Sequence, residues 1–232
     1  MSDNRKFTPA PRVKNALDNA KLKLSAPSTA SGKYANMVFS IVSNNPRITV
    51  YTGDPDDNTE KNGYGKIQAN LDIYTWYAFL EKVKQIAATK EETKIKFENL
   101  NFTWFGGKRS EKPVVVSELW VGRDAQGVMW VSVLSSDSAR PKIKFPFGPT
   151  TYHRMITSDG QPVSKPELSS IYALSFARAL DALSSQIFVK EYTEPKQKEN
   201  NSGGFRQNPG NTERSGDRNA SAASVSEDDM PW

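Results

Sequence analysis

The side chains of this chain with chemistry to offer are aromatic rings set beside Lys and Arg. Flat rings stack on planar ligands, and fixed cations neutralise phosphates. They occur in four places. Across residues 114–135, a strand–turn–strand pattern centred on Arg123-Asp124-Ala125-Gln126-Gly127 predicts Trp120 opposite Trp130 and Glu118 opposite Ser132. Alternation gives Val115, Leu119, Val121, Met129, Val131 and Val133 to one apolar face, and Val116, Glu118, Trp120, Trp130 and Ser132 to the other. Two arrangements satisfy a tryptophan pair on the more polar face: packing beneath a helix, or an open stacking platform.

The second place is Asn101-Phe102-Thr103-Trp104-Phe105-Gly106-Gly107-Lys108-Arg109. Phe102 and Trp104 share a strand face there and lead into a Gly-Gly turn followed by two cations, Lys108 and Arg109. In the third, residues 140–147, alternation sets Arg140, Lys142 and Lys144 against Ile143, Phe145 and Phe147. Such a strand is either an ordinary solvated edge or a track for phosphates. The fourth is Tyr152-His153-Arg154, where Tyr152 and Arg154 are candidate contacts and His153 reads as structural or stacking.

Catalysis finds little support. With no Cys and a single His, the chain cannot hold a disulfide, a thiolate nucleophile, a Cys-containing zinc site or a two-His metal site. A phosphate-binding loop needs Gly five residues before a Gly-Lys pair; Gly65-Lys66 has Glu60 there and Gly107-Lys108 has Phe102. The carboxylates Asp54, Asp56, Asp57 and Glu60, with Asp72, leave a metal-dependent nuclease as a lesser alternative, since an acidic, Gly-rich surface loop is the commoner explanation of such a cluster. Neither predicted helix carries a basic face, since only Arg178 is basic between Glu167 and Val189. The expectation is a protein that binds rather than catalyses, with no catalytic residue, metal or cofactor.

Elements must position these groups. Strands are predicted at 35–42, 47–51, 94–100, 114–122, 128–135 and 142–147, with a polar, Gly-rich loop at 53–65. Asp72 caps a helix whose stripe is Ile73, Trp76, Leu80, Val83 and Ala87. A second helix opens on the capping box Ser164-Lys165-Pro166-Glu167 and carries Leu168, Tyr172, Phe176, Leu180, Leu183 and Ile187, ending near Tyr192. No useful internal repeat is visible. The class is mainly β or α+β, with two helices added to a small barrel or sandwich. Residues 1–24 read as a partly flexible extension and 25–192 as the folded domain.

Charge divides the chain. Lys and Arg number 31 and Asp and Glu 26; residues 191–232 hold five bases and eight acids (5 − 8 = −3), leaving residues 1–190 at 26 − 18 = +8. Residues 193–226, rich in Gly, Asn, Ser and Arg, cannot bury enough surface to offset their ordering entropy and are predicted to be disordered. The tip Glu227-Asp228-Asp229-Met230-Pro231-Trp232 places three acids before an apolar end, which a purely solvating tail has no use for. No apolar run nears the ~18 residues needed to cross a bilayer, and residues 1–15 lack a signal-peptide core, so a soluble intracellular protein is expected.

A basic, aromatic-bearing body, a polar linker and this tip resemble single-stranded DNA-binding proteins. The bacterial ones end in acids followed by Asp-Asp-Ile-Pro-Phe, and the whole chain is similar to those of enterobacterial tailed phages. The resemblance implies an OB-fold barrel with the helix at 72–89 bridging two strands. It implies coating of single-stranded DNA during replication, recombination and repair, in the cytoplasm of an infected host. Residues 227–232 would recruit replication and recombination proteins, and self-association is possible within such a family. An RNA-binding or RNA-chaperone module is the alternative that shares the same chemistry.

Overall fold

The computed structural model describes residues 14–18, 22–27 and 33–192. Runs rich in Val, Ile, Phe and Thr pair into two four-stranded antiparallel sheets. The first contains β1 (Lys23–Pro27), β2 (Tyr34–Val42), β3 (Asn45–Tyr51) and β4 (Lys66–Asn70), in chain order across the sheet. A two-residue turn at Ser43 and Asn44, with φ of 48° and 66°, joins β2 to β3 and fixes the register Phe39 to Ile48. The second sheet contains β5 (Thr93–Asn101), β8 (Val114–Arg123), β9 (Met129–Ser135) and β10 (Phe145–Pro146), also neighbours in that order. Between β5 and β8 stands a separate hairpin, β6 (Trp104–Phe105) and β7 (Lys108–Arg109).

Each sheet leads on to a helix: α1 (Ile73–Ala88) follows β4, and α2 (Lys165–Lys190) follows β10. The chain thus runs four strands and a helix twice over, with the β6–β7 hairpin inserted in the second half. This repeat is one of topology, which is why a residue-by-residue reading finds none. The inner face of the first sheet carries the rows Met37–Val50–Ile67 and Phe39–Ile48–Ala69; the second carries Val121–Val131–Phe145. All nine side chains are buried, each contributing about 1.5–3 kcal/mol for the larger ones. The helices complete the core. Phe39 meets Trp76 of α1 edge-on at 6.4 Å and Phe176 of α2 at 5.0 Å, while Phe79 of α1 meets Phe97 of β5 at 6.4 Å.

Asp72 caps α1 as predicted, accepting from Thr75 N at 2.8 Å and Thr75 Oγ1 at 2.7 Å. At α2 the capping box does not form: Ser164 is the cap residue without a side-chain cap bond, and Pro166 supplies the first-turn preorganisation. The buried stripe of α2 is also offset from the one expected. It runs Ser169, Ala173, Ala177, Leu180, Ser184 and Ile187, with Tyr172, Phe176 and Leu183 only half-buried. Small residues let α2 approach its neighbours closely, so Ser184 Oγ accepts from Trp76 Nε1 at 3.1 Å and Ser169 Oγ from Met129 N at 2.9 Å.

Other expectations need correction. The fold begins before residue 25: Leu17, in a 3-10 turn at Ala16–Asp18, is 2% exposed, and β1 starts at Lys23. The strand expected at 142–147 is reduced to Phe145–Pro146, although the alternation of its faces persists. The two sheets are separate open meanders with no hydrogen-bonded ladder between them among the described residues, and the closed barrel implied by the resemblance is not confirmed. The mainly β, α+β class stands. The expected linker at 193–226 and tip at 227–232 lie outside the described residues. Among the described residues, no helix is long and apolar enough to cross a membrane.

Candidate nucleic-acid interface

The face of the second sheet turned away from the helices holds the basic and aromatic groups. The hairpin β8–β9 pairs Trp120 with Ser132 and Gly122 with Trp130, two residues from the expected register. Asp124 sets it, since its N–H donates to Val128 O at 3.0 Å and its Oδ1 accepts from Gln126 N and Val128 N. Arg123 therefore ends β8 rather than entering the turn. It is 3% exposed, and its Nη2 donates to Ile86 O, Ala87 O and Ser170 Oγ, closing the C-terminal end of α1. A slip of two residues preserves parity, so Trp120 and Trp130 still share a face, diagonally rather than directly opposed.

Trp130 lies across the backbone of Gly122. A Cβ there would sit 2.9 Å from its Cζ2, so only glycine leaves room for the ring. Held down in this way, Trp130 is 7% exposed and its Nε1 has no hydrogen-bond partner among the described residues. It forms the floor of a trough of about 240 Å³ lined by Lys94, Trp120, Trp130, Ser132, Leu134, Lys142 and Lys144. Lys144 Nζ stands 4.6 Å from the Trp130 ring centre, and Lys94 and Lys96 Nζ stand 5.9 and 5.8 Å from that of Trp120.

Two carboxylates on this face are gathered at one lysine. Lys96 Nζ lies 2.6 Å from Glu98 and 2.8 Å from Glu118, and Glu118 also accepts from Trp120 Nε1 at 2.8 Å. The hydrogen bonds to Glu118 and then Glu98 push the Lys96 ammonium up to about 12. Lys96, followed by Trp120, holds the Glu118 carboxyl below the ordinary range. This chain of contacts fixes the plane of Trp120. Lys94, Lys142 and Lys144 line the trough and make no ion pair among the described residues, although Lys142 is near enough to Glu118 to help lower its carboxyl.

The other predicted groups distribute as follows. Gly106 and Gly107, at φ of 56° and 77°, close the β6–β7 hairpin with the paired positive angles that such a turn demands. The hairpin presents Trp104 at 69% exposure, pairs it with Arg109, and stacks the Arg109 guanidinium 3.6 Å from the Phe102 ring centre, with Lys108 exposed beside them. Tyr152 and Arg154 are exposed on the segment between β10 and α2, where His153 Nδ1 meets Thr150 Oγ1 at 3.0 Å. No described contact joins them to the trough.

Arg140 is a correction. Its guanidinium does not extend the row of Lys142 and Lys144; it donates from Nε and Nη2 to the two oxygens of Asp57 at 2.9 and 2.8 Å, and from Nη1 to Lys66 O at 3.0 Å. Asp57 also accepts from Thr52 Oγ1 and Asn62 Nδ2, so the acidic loop is a brace between the two halves. Among the described residues no three acidic or histidine side chains converge as a metal-ligand group. Sequence reasoning missed Lys94, Lys96 and Leu134. The alternation Lys94-Ile95-Lys96-Phe97 was sufficient to find the two lysines, because Ile95 and Phe97 turn inward to the core. No family model, curated protein or solved structure matches this chain.

Proposed function

We propose that the protein binds single-stranded DNA, coating it by base stacking and phosphate neutralisation without reading base edges. One observation carries this reading: a sheet face on which Trp120 and Trp130 are flanked by Lys94, Lys142 and Lys144 around an open trough. A duplex conceals the faces of its bases, whereas a single strand offers them to the half-buried Trp120 ring beside the Trp130 floor. The β6–β7 hairpin adds Trp104, Lys108 and Arg109 as a second set of contacts on the strand leaving that face. The reading does not need a closed OB barrel, since an open sheet presents the same chemistry. Coating of this kind serves replication, recombination and repair, and the tip Glu227–Trp232, with its acids ahead of Pro231 and Trp232, recruits the proteins of those processes.

The test is a titration following intrinsic Trp fluorescence, with matched single-stranded DNA, RNA and duplex DNA at two salt concentrations. Single-stranded DNA is expected to quench most tightly, with affinity falling steeply as salt rises. Preference for RNA would transfer the reading to the RNA-binding alternative, and absence of all three signals would end it. For the tip, the full chain carrying Glu227→Gln, Asp228→Asn and Asp229→Asn is expected to lose partner capture while tightening DNA binding, because acids that compete for the basic body are removed.

A further inference from the structure

The first sheet repeats the geometry of the second on its own outer face. Tyr34 on β2 stands two residues before Asn36, the partner of Tyr51 on β3; Trp120 on β8 stands two residues before Gly122, the partner of Trp130 on β9. Each half therefore sets an aromatic pair on the same diagonal of its second and third strands. A lysine of the fourth strand region covers the third-strand ring in both: Lys66 Nζ lies 6.0 Å from the Tyr51 ring centre, as Lys144 lies over Trp130. Tyr34 and Tyr51 are 66% and 42% exposed, so these rings are open to a ligand.

The charge carried by the strands themselves is of one sign. Strands β1 to β4 contain no Asp or Glu, while Lys23, Arg47 and Lys66 all belong to them. By register, Lys23, Arg47, Tyr51 and Lys66 share the outward parity with Asn36, Thr49 and Gln68. Lys23, Asn36, Arg47, Tyr51 and Gln68 line a trough of about 460 Å³, whose lining also includes the acid Asp18 from the turn before β1. This face also adjoins the other. The Arg140 guanidinium reaches the Lys66 carbonyl, and Arg140 stands only two residues ahead of Lys142, at the rim of the tryptophan trough.

We propose that the outer face of the first sheet is a second binding surface for the same single strand, a deduction that rests on the proposed function of the second sheet. Lys23, Arg47 and Lys66 neutralise phosphates there, Tyr34 and Tyr51 stack bases, and the strand passes between faces along the Lys66–Lys142 seam. Tyrosine gives less ring area than tryptophan, so the first face is the weaker of the two.

The test is stoichiometry on the full chain, using oligothymidylate of about eight nucleotides, a length suited to one stacking surface. Native mass spectrometry and fluorescence titration read the number bound. The natural chain is expected to saturate with two oligomers. The variant Lys23→Glu, Arg47→Glu, Lys66→Glu and, separately, Tyr34→Ala with Tyr51→Ala are each expected to retain one, with unchanged circular dichroism. The variant Lys94→Glu, Lys142→Glu, Lys144→Glu is expected to retain the weaker one. A natural chain that takes one oligomer, lost only in the last variant, overturns the second surface and leaves the proposed function standing. A natural chain that binds none overturns both.

Discussion

Arg140 and Asp57 form a two-point ion pair, Nε to Oδ1 at 2.9 Å and Nη2 to Oδ2 at 2.8 Å, between side chains only 11% and 2% exposed. A buried pair that loses one member leaves an unpaired charge, which costs about 3–5 kcal/mol. Arg140→Ala is therefore expected to lower the urea midpoint sharply while the folded fraction keeps its affinity for single-stranded DNA. The reverse pattern, weaker binding at unchanged stability, would return Arg140 to the phosphate contacts.

The same pair gives acid sensitivity a definite sign. Burial pushes the Asp57 carboxyl up, but the Arg140 hydrogen bond and ion pair, with Thr52 and Asn62, outweigh it and hold the group below 3.8. Its stabilising contribution is complete above the unfolded value near 3.8 and disappears as pH falls through the lower folded value. Asp72, opposed by burial but held down by its bonds from Thr75, contributes acid sensitivity of the same sign. Thermal midpoints from pH 7 to pH 2.5 are expected to fall at the acid end, and to fall less in Asp57→Asn, whose midpoint starts lower. Equal acid slopes in both chains would contradict the assignment.

The two tryptophans of the trough are expected to separate in a mutational comparison. Trp120 is half-buried and oriented by Glu118, so Trp120→Ala is expected to cost about 1–3 kcal/mol of single-strand binding per stacked base with little loss of stability. Trp130 covers Gly122 and is 7% exposed, so Trp130→Ala is expected to cost about 3–5 kcal/mol of stability. Chemical unfolding and DNA titration on each variant check this directly. A stable Trp130→Ala chain would mean that the ring is a contact and not a floor.

Salt dependence ranks the lysines. Removing one phosphate contact to a single strand reduces the slope of log affinity against log salt by about 0.7. Lys94→Ala, Lys142→Ala and Lys144→Ala are each expected to show that reduction. Lys96→Ala is expected to show less, because Glu98 and Glu118 already offset its charge at 2.6 and 2.8 Å. Titrations across a series of KCl concentrations measure the slopes; equal effects at Lys96 and Lys144 would remove the distinction.

Parity was the most legible property of the chain. It survived a two-residue error in the β8–β9 turn, because sheet faces repeat every second residue and the error was even. The turn itself was misread because Arg123 looks like a loop cation, while its guanidinium in fact reaches the carbonyls at the end of α1. Strand β4, Lys-Ile-Gln-Ala-Asn, was missed because only two of its five residues are apolar and one of those is Ala. Arg140 was assigned to the wrong partner for a different reason: Asp57 lies 83 residues away, and alternation says nothing about such distant pairs. The stripe of α2 was drawn through its large residues, whereas close helix packing favoured its small ones.

The helices of the two halves are bound to each other inside one chain, through Trp76 and Ser184, Tyr77 and Ser185, and Lys84 and Asp181. A sheet-and-helix unit of half this length would have to find a second copy by diffusion, and its cohesion would rise and fall with concentration. Here that encounter is intramolecular. The midpoint of unfolding should be the same in dilute and concentrated solution, and either sheet can alter its outer face without obliging the other to match it.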